Sequence, residues 1–490
     1  MRTATRVISR PYGLIVGVLA LAGLGASFMQ TILIPIQPRL PELLSASADD
    51  TPWVITATLV AAAVCTPIAG RLGDMYGKRR IAMVLLLLQA AGAVLAALSD
   101  SLIPMIVARV LQGMAAGVIP LGISILRDVL PPKRLGSAVA LVSATLGVGG
   151  ALGLPLSAIV ADSLNWHALF WLAAGIALVC FVLFAAIVPA SAQRAKGRLD
   201  VVGIIGLSIG LVGLLIAISR GSQWGWADGR TLGFLIGGLC VLIVWGFYEL
   251  RVKDPLVDLR VSARGAVLLT NLASVAMGFA LFASNVVFPQ LLELPSATGI
   301  GLGLSLVVAS LVLAPSGLAM MAVSPIAGRL ERFRGPKPLL VAGAGVIAVS
   351  YGAALLFHTE FWHILVVNVL LGVGVGFGYA AMPALIMRAV PIHETGAANG
   401  LNALMRSLGT SIAAAIVGAI LAQSVTRTNG IPGPSEGGFM LTLLLGLGAA
   451  VLCLVLAVFI PRPKNSGAET LPEASMKHDS TAEDAPALVS

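Results

Sequence analysis

A chain of 490 residues that is 58% hydrophobic and only 11% charged has too few polar side chains to cover a water-soluble globule of its size, for which ~25% charged is usual. Lipid is therefore its solvent. Lipid supplies no hydrogen-bond partners, so the long apolar runs, which lack strand-like alternation, must be helices and exclude a barrel. The formal charge of +9 is read first as a topology signal, and no nucleic-acid partner is expected.

Residues 1–11 carry Arg2, Arg6 and Arg10 ahead of an apolar run over 12–36. That run is too long for a signal-peptide core and is read as a retained first helix. With ~20 apolar residues per crossing, spans follow over 53–70, 81–99, 102–126, 136–161 and 168–189. Two more lie over 201–219 and 231–249, and six more over 265–291, 301–327, 338–357, 361–388, 396–424 and 437–461. The chain thus divides into a cytoplasmic N-terminus (1–11), an N-terminal six-helix bundle (12–190), a two-helix central insert (191–264), a C-terminal six-helix bundle (265–461) and a tail (462–490). The tail, with Glu469, Glu473, Asp479, Glu483 and Asp484 and little apolar content, is expected to be a disordered cytoplasmic segment.

Of the 31 lysines and arginines, only Arg39, Arg220, Arg230 and Arg427 fall in outer loops and only Arg109 and Arg406 within spans. This bias sets an even number of crossings with both termini inside. The expected location is the inner membrane, multi-pass. Cys65, Cys180, Cys240 and Cys453 read as small buried hydrophobes. The histidines, His167, His358, His363, His393 and His478, are scattered without metal-ligand spacing, and no phosphate-binding glycine loop is present. No cofactor, no metal and no enzyme activity are expected.

Between the second and third spans lies Gly70-Arg71-Leu72-Gly73-Asp74-Met75-Tyr76-Gly77-Lys78-Arg79-Arg80, read as a short loop with two helix-ending glycines, one acid and a cationic cluster. Its counterpart between the tenth and eleventh spans is Gly328-Arg329-Leu330-Glu331-Arg332-Phe333-Arg334-Gly335, and Pro67 and Pro325 precede the two loops at matching offset. This is an internal repeat. The fourth span carries Arg109-Val110-Leu111-Gln112-Gly113, and the fifth carries Gly147, Gly149, Gly150, Gly153 and Pro155. A charge at the depth of Arg109 is costly and must face water, carbonyls or an anion, not lipid.

These motifs resemble those of the major facilitator superfamily, and the six-two-six arrangement resembles its fourteen-span drug:proton antiporter (multidrug efflux) branch. The resemblance implies an all-α integral membrane protein with the major facilitator fold, two six-helix halves plus two extra central helices, fourteen transmembrane helices in all. It implies a conformational latch at Gly70, Asp74, Gly77, Lys78, Arg79 and Arg80, with Met75 where the family has arginine. It implies a hinge at Gly149, Gly150, Gly153 and Pro155, with the proline displaced by one position. Local texture agrees at Leu199-Asp200-Val201-Val202-Gly203 and at Asn399 to Gly409.

Proton-coupled members of that branch carry an acid in the first span, where this chain has Met29. The 22 acidic residues fall at loops, span ends or the tail, leaving Asp128 and Glu293, with Asp74, as candidate coupling acids. Gln30, Thr31, Arg109, Gln112, Asn271, Asn285, Gln290, Asn402 and Arg406 are candidate cavity and substrate groups. Two intramembrane arginines without deep carboxylates favour an anionic or neutral substrate over a lipophilic cation. The function expected is secondary active transport, the efflux of drug-like or natural-product small molecules by alternating access with proton antiport. The alternatives are an uncoupled or differently coupled transporter of an anionic or neutral metabolite or lipid, and a non-transporting scaffold. Expected partners are the small-molecule substrate, the bilayer and protons, with the chain working as a monomer.

Overall fold

The computed structural model describes residues 11–461 apart from 34–35, 48, 164, 191–194, 196 and 429–430. The tail over 462–490, nearly all of the N-terminal segment 1–11, and Arg194 and Lys196 lie outside the described residues. Among the described residues 14 helices are long and apolar enough to cross a membrane.

The first six are α1 (Tyr12–Thr31), α2 (Trp53–Tyr76), α3 (Lys78–Ala97), α4 (Leu102–Val129, with a tighter turn at Ala115–Gly117), α5 (Pro132–Ser163) and α6 (His167–Ile187). Next come α7 (Val201–Trp224) and α8 (Gly229–Glu249). The last six are α9 (Gly265–Glu293), α10 (Leu306–Arg334), α11 (Pro336–Leu356), α12 (Phe361–Ala389), α13 (Thr395–Gln423) and α14 (Glu436–Phe459).

Several expected boundaries move, each for a local reason. Helix α1 stops at Thr31 and not at 36, because Pro35, Pro38 and Pro41 remove the donors a longer helix needs. The motif expected to be a loop over Gly70–Arg80 is helix on both sides of one residue, Gly77, at φ 106. Gly70 and Gly73 are interior helical positions. The matching break in the other half is Gly335, at φ 82 and followed by Pro336 at the first turn of α11. Cys240 faces the surface and Cys65 is half-buried, so only Cys180 and Cys453 are the buried hydrophobes expected. A two-stranded antiparallel ribbon, β1 (Val425–Thr428) and β2 (Ile431–Pro434), joins α13 to α14.

The two sets of six helices use one packing plan. In the first set α1 lies along α5, α2 along α4, and α3 along both α4 and α6; in the second α9 lies along α13, α10 along α12, and α11 along both α12 and α14. The halves meet along α2 with α13 and α5 with α10. The pair α7–α8 docks through α7 against α2 and α13, leaving α8 on the outside and mostly exposed.

Arg220 fixes that docking. A span ruler ending at 219 placed it in an outer loop; helix α7 instead continues to Trp224, and Arg220 is 1% exposed. Its guanidinium lies 4.2 Å over the Trp53 ring, and it donates to Asp49 O at 2.8 Å and to Gln223 Oε1. Trp224 stands 6.5 Å from Trp53 and 5.9 Å from Phe234. A desolvated cation–π contact contributes ~2 kcal/mol, so Arg220→Ala is expected to lower the thermal unfolding midpoint in detergent, with Arg220→Lys falling between the two.

Candidate functional site

At the membrane face where the arginines and lysines cluster, hereafter the basic face, α2 ends against the start of α13. The first N–H groups of a helix have no partner within it, and the residue before α13, Glu394, gives them none from its side chain. Asp74 does. Its Oδ1 accepts from Gly396 N at 3.2 Å and its Oδ2 from Ala397 N at 2.9 Å, with the residue 1% exposed. A carboxylate of one half thus caps a helix of the other, where the helix dipole also favours negative charge. Lys78, also 1% exposed, lies 3.8 Å from Asp74 and donates to both oxygens of Asp128 at 3.0 and 2.8 Å. Asp128 is therefore committed to a buried ion pair.

Arg127, read from the sequence only as a topology charge, also crosses between the halves: it donates to Thr395 Oγ1 at 2.5 Å and to Val390 O at 3.2 Å. Arg79 stays within its own half, donating to Ala185 O at 2.5 Å, and Arg80 is exposed. Close approach of the two backbones depends on missing side chains. A Cβ on Gly400 would lie 2.8 Å from Thr66 O and 3.0 Å from Pro67 Cα. Gly400→Val is therefore expected to wedge α2 from α13 and lengthen the distance between spin labels at positions 80 and 393.

The α5–α10 side has a related arrangement. Glu331 pairs with Arg388 at 3.3 Å, while its Oε2, buried without a donor, lies 2.5 Å from where a Cβ on Gly136 would be. Here too an acid of one half meets the first turns of a helix of the other.

The intramembrane polar groups separate into two kinds. Arg109, 1% exposed, donates to Met29 O at 3.0 Å and to Gln112 Oε1 at 2.6 Å, tying α4 to α1. Its Nε and Gln112 Nε2 remain buried without partners. Asn402 donates to Asn271 Oδ1 at 2.9 Å and to Ser274 Oγ at 2.8 Å, so these candidates hold α13 to α9. Arg406 is half-buried with its guanidinium 4.7 Å over the Tyr379 ring. Gln30, Asn285 and Gln290 are exposed and Thr31 half-buried, and none of the four joins the Arg109 or Asn402 networks.

The expected hinge forms a packing face. Helix α5 is continuous through Pro155, and Gly149 meets Ser27 Cβ at 2.6 Å from its would-be Cβ, while Gly153 abuts Thr31 and Gly150 lies 3.8 Å from it. Ser27 Oγ donates to Leu146 O at 2.5 Å. These glycines let α1 and α5 touch. Glu293, the other coupling candidate, is exposed at the end of α9 away from the basic face.

Two acids outside the expected site residues, Asp200 and Glu249, meet at the basic end of the insert. Asp200 caps α7, accepting from Gly203 N at 2.8 Å and from Tyr248 Oη at 3.1 Å, and Glu249 accepts from Val257 N at 2.7 Å. Only the cap was legible, as an aspartate at the start of an apolar run.

The model of the Major Facilitator Superfamily matches residues 19–252 and 270–482. An uncharacterized MFS-type transporter of Mycobacterium tuberculosis is 26% identical over 410 residues, 82% of this chain; the chain spans 58% of that relative's length. The tetracenomycin C resistance and export protein of Streptomyces glaucescens is 28% identical over 404 residues, 81% of this chain and 73% of the relative. Among solved structures, that of the human organic anion transporter MFSD10 superposes with a TM-score of 0.65 at 15% identity, covering 90% of this chain and 99% of the other. Two six-helix halves on one packing plan, joined by an acid-capped helix start, and a family match over most of the chain agree: this chain belongs to the Major Facilitator Superfamily.

Proposed function

We propose that this protein exports drug-like or natural-product small molecules by alternating access, with the basic face cytoplasmic and the structure representing the state closed on that side. The observation that carries the reading is the pair of hydrogen bonds from Gly396 N and Ala397 N to Asp74. They join the halves at one face only, so breaking them frees that face to open. The names of relatives that confer drug resistance or export an antibiotic support the direction and class of cargo.

The latch comprises Asp74, Lys78 and Asp128, with Arg127 as a second tie, and the glycines at 70 and 400 set the closeness of the contact. Arg109 and Arg406 supply positive charge to the interior, and no carboxylate lies in the middle of a span. A buried cation favours anionic or neutral cargo with an acceptor group over a quaternary cation. Coupling to protons is part of the proposal, with the carrier residing at a span end.

The test is flux in proteoliposomes over a panel of anionic, neutral and cationic compounds, with and without an imposed pH gradient. Saturable flux of anionic or neutral members, accelerated by the gradient, is expected. Flux confined to quaternary cations overturns the substrate class, and indifference to the gradient overturns proton antiport.

A further inference from the structure

Two acids of the insert face each other at its basic end. Glu249 is 2% exposed, and its Oε2 has no donor; Asp200 Oδ2 is likewise buried without one. The two free oxygens face the same spot: a Cβ on Gly203 would lie 2.9 Å from Glu249 Oε2 and closer still to Asp200 Oδ2. Both oxygens lie within 3 Å of that one point, so the two carboxyl groups are close neighbours.

The hydrogen bonds that this pair accepts go to the outer oxygens. Gly203 N and Tyr248 Oη both serve Asp200 Oδ1, and Val257 N serves Glu249 Oε1. The charged groups around Leu256 and Val257 are Arg71 of α2, Lys253, Asp254 and Asp258 of the segment after α8, and His393 and Glu394 ahead of α13; Arg198, Arg251 and Arg260 flank the pair along the chain. Asp254 accepts from Arg198 N, and Asp258 caps the turn at Arg260 and Val261. Among the described residues no lysine, arginine or histidine forms an ion pair with Asp200 or Glu249. Two carboxylate oxygens that converge out of water with no cation between them repel unless a proton lies between them.

We infer that Asp200 and Glu249 form a proton-binding site outside the central cavity, one proton bridging Asp200 Oδ2 and Glu249 Oε2. What that proton holds in place follows from the partner of Glu249. Val257 and its neighbour Leu256, 3% and 1% exposed, are wedged among Ala63 of α2, Leu207 and Leu211 of α7, and Leu401 and Leu404 of α13. This is the seam between α2 and α13, just inside Asp74.

With the proton bound the pair is at rest and Glu249 pins the wedge. When the proton leaves to water at the basic face, the carboxylates separate. Asp200 is held by two donors and a helix start, so Glu249 is the one that moves and Val257 loses its acceptor. Proton occupancy thereby sets how firmly the strap over 250–264 seals the seam. The existence of the site does not depend on the transport reading; its use in gating does.

The test uses the full chain in lipid. Infrared difference spectra across a pH step are expected to contain a protonated-carboxyl band that both Glu249→Gln and Asp200→Asn remove. Asparagine caps helices as well as aspartate, so Asp200→Asn separates loss of the proton from loss of fold. In parallel, hydrogen exchange of peptides from 250–264, corrected for intrinsic rates, should quicken at high pH in the wild type and lose that dependence in Glu249→Gln. Absence of the band in the wild type, or its survival in both variants, overturns the site. A strap whose exchange ignores pH in the wild type overturns the link to the seam. Neither readout depends on transport, so a failed flux assay counts against the proposed function alone.

Discussion

Asp74→Ala is expected to part α2 from α13 and shift the protein toward a state open at the basic face. The substitution removes both acceptors at the start of α13, and α13 has no side-chain cap of its own to replace them. It also leaves Lys78, 1% exposed, with Asp128 alone. Hydrogen bonds to a charged group are each worth ~1.5–3 kcal/mol. Two at the lower figure come to about 3 kcal/mol, a ~100-fold change in the equilibrium between the closed and open faces. Spin labels at the exposed positions 80 and 393, one on each half, read the change directly as a longer mean distance. Asp74→Asn retains one acceptor oxygen and should fall between wild type and alanine. An unchanged distance in Asp74→Ala would mean that Arg127 and backbone packing close this face without the carboxylate.

The second large effect is expected at Arg109. Its two donated bonds hold the α1 carbonyl of Met29 and the side chain of Gln112, and alanine leaves both buried and unpaired. An unsatisfied buried group costs ~1–3 kcal/mol, so Arg109→Ala should lower thermal stability measurably. It should also abolish flux of anionic cargo, because no other cation lies on α1 to α6 at that depth. Arg109→Lys keeps the charge but lacks the fork that reaches both acceptors, so it is expected to fold well and transport poorly. Wild-type flux in Arg109→Ala would reduce this arginine to a structural brace between α1 and α4.

The helices were more legible in the sequence than the contacts between them. The helix count and the basic face followed from apolar length and from where arginine and lysine are allowed to sit, both dictated by the bilayer. Asp74 stood out because its motif is local, Gly70 to Arg80 in one stretch. Its partners were not legible, since Gly396 and Ala397 contribute backbone N–H groups that carry no residue signature. Asn271 and Asn402 looked like cavity groups, because a polar residue in a span has the same appearance whether it lines water or pairs with another helix. Arg220 was misplaced by five residues of helix beyond the expected span, and that error hid the clamp on Trp53. Asp200 and Glu249 were each ordinary at a span end. Only the α7–α8 hairpin brings them together, and no local pattern announces it.

The most direct test of alternating access through this latch is flux in proteoliposomes that hold either wild type or Asp74→Ala in equal amounts. The expected result is saturable, gradient-accelerated flux in the wild type and at least a tenfold loss in Asp74→Ala, with cargo binding retained, as a protein held open on one side binds but does not cycle. Wild-type flux through Asp74→Ala, measured on protein whose label distance shows the basic face open, would contradict it.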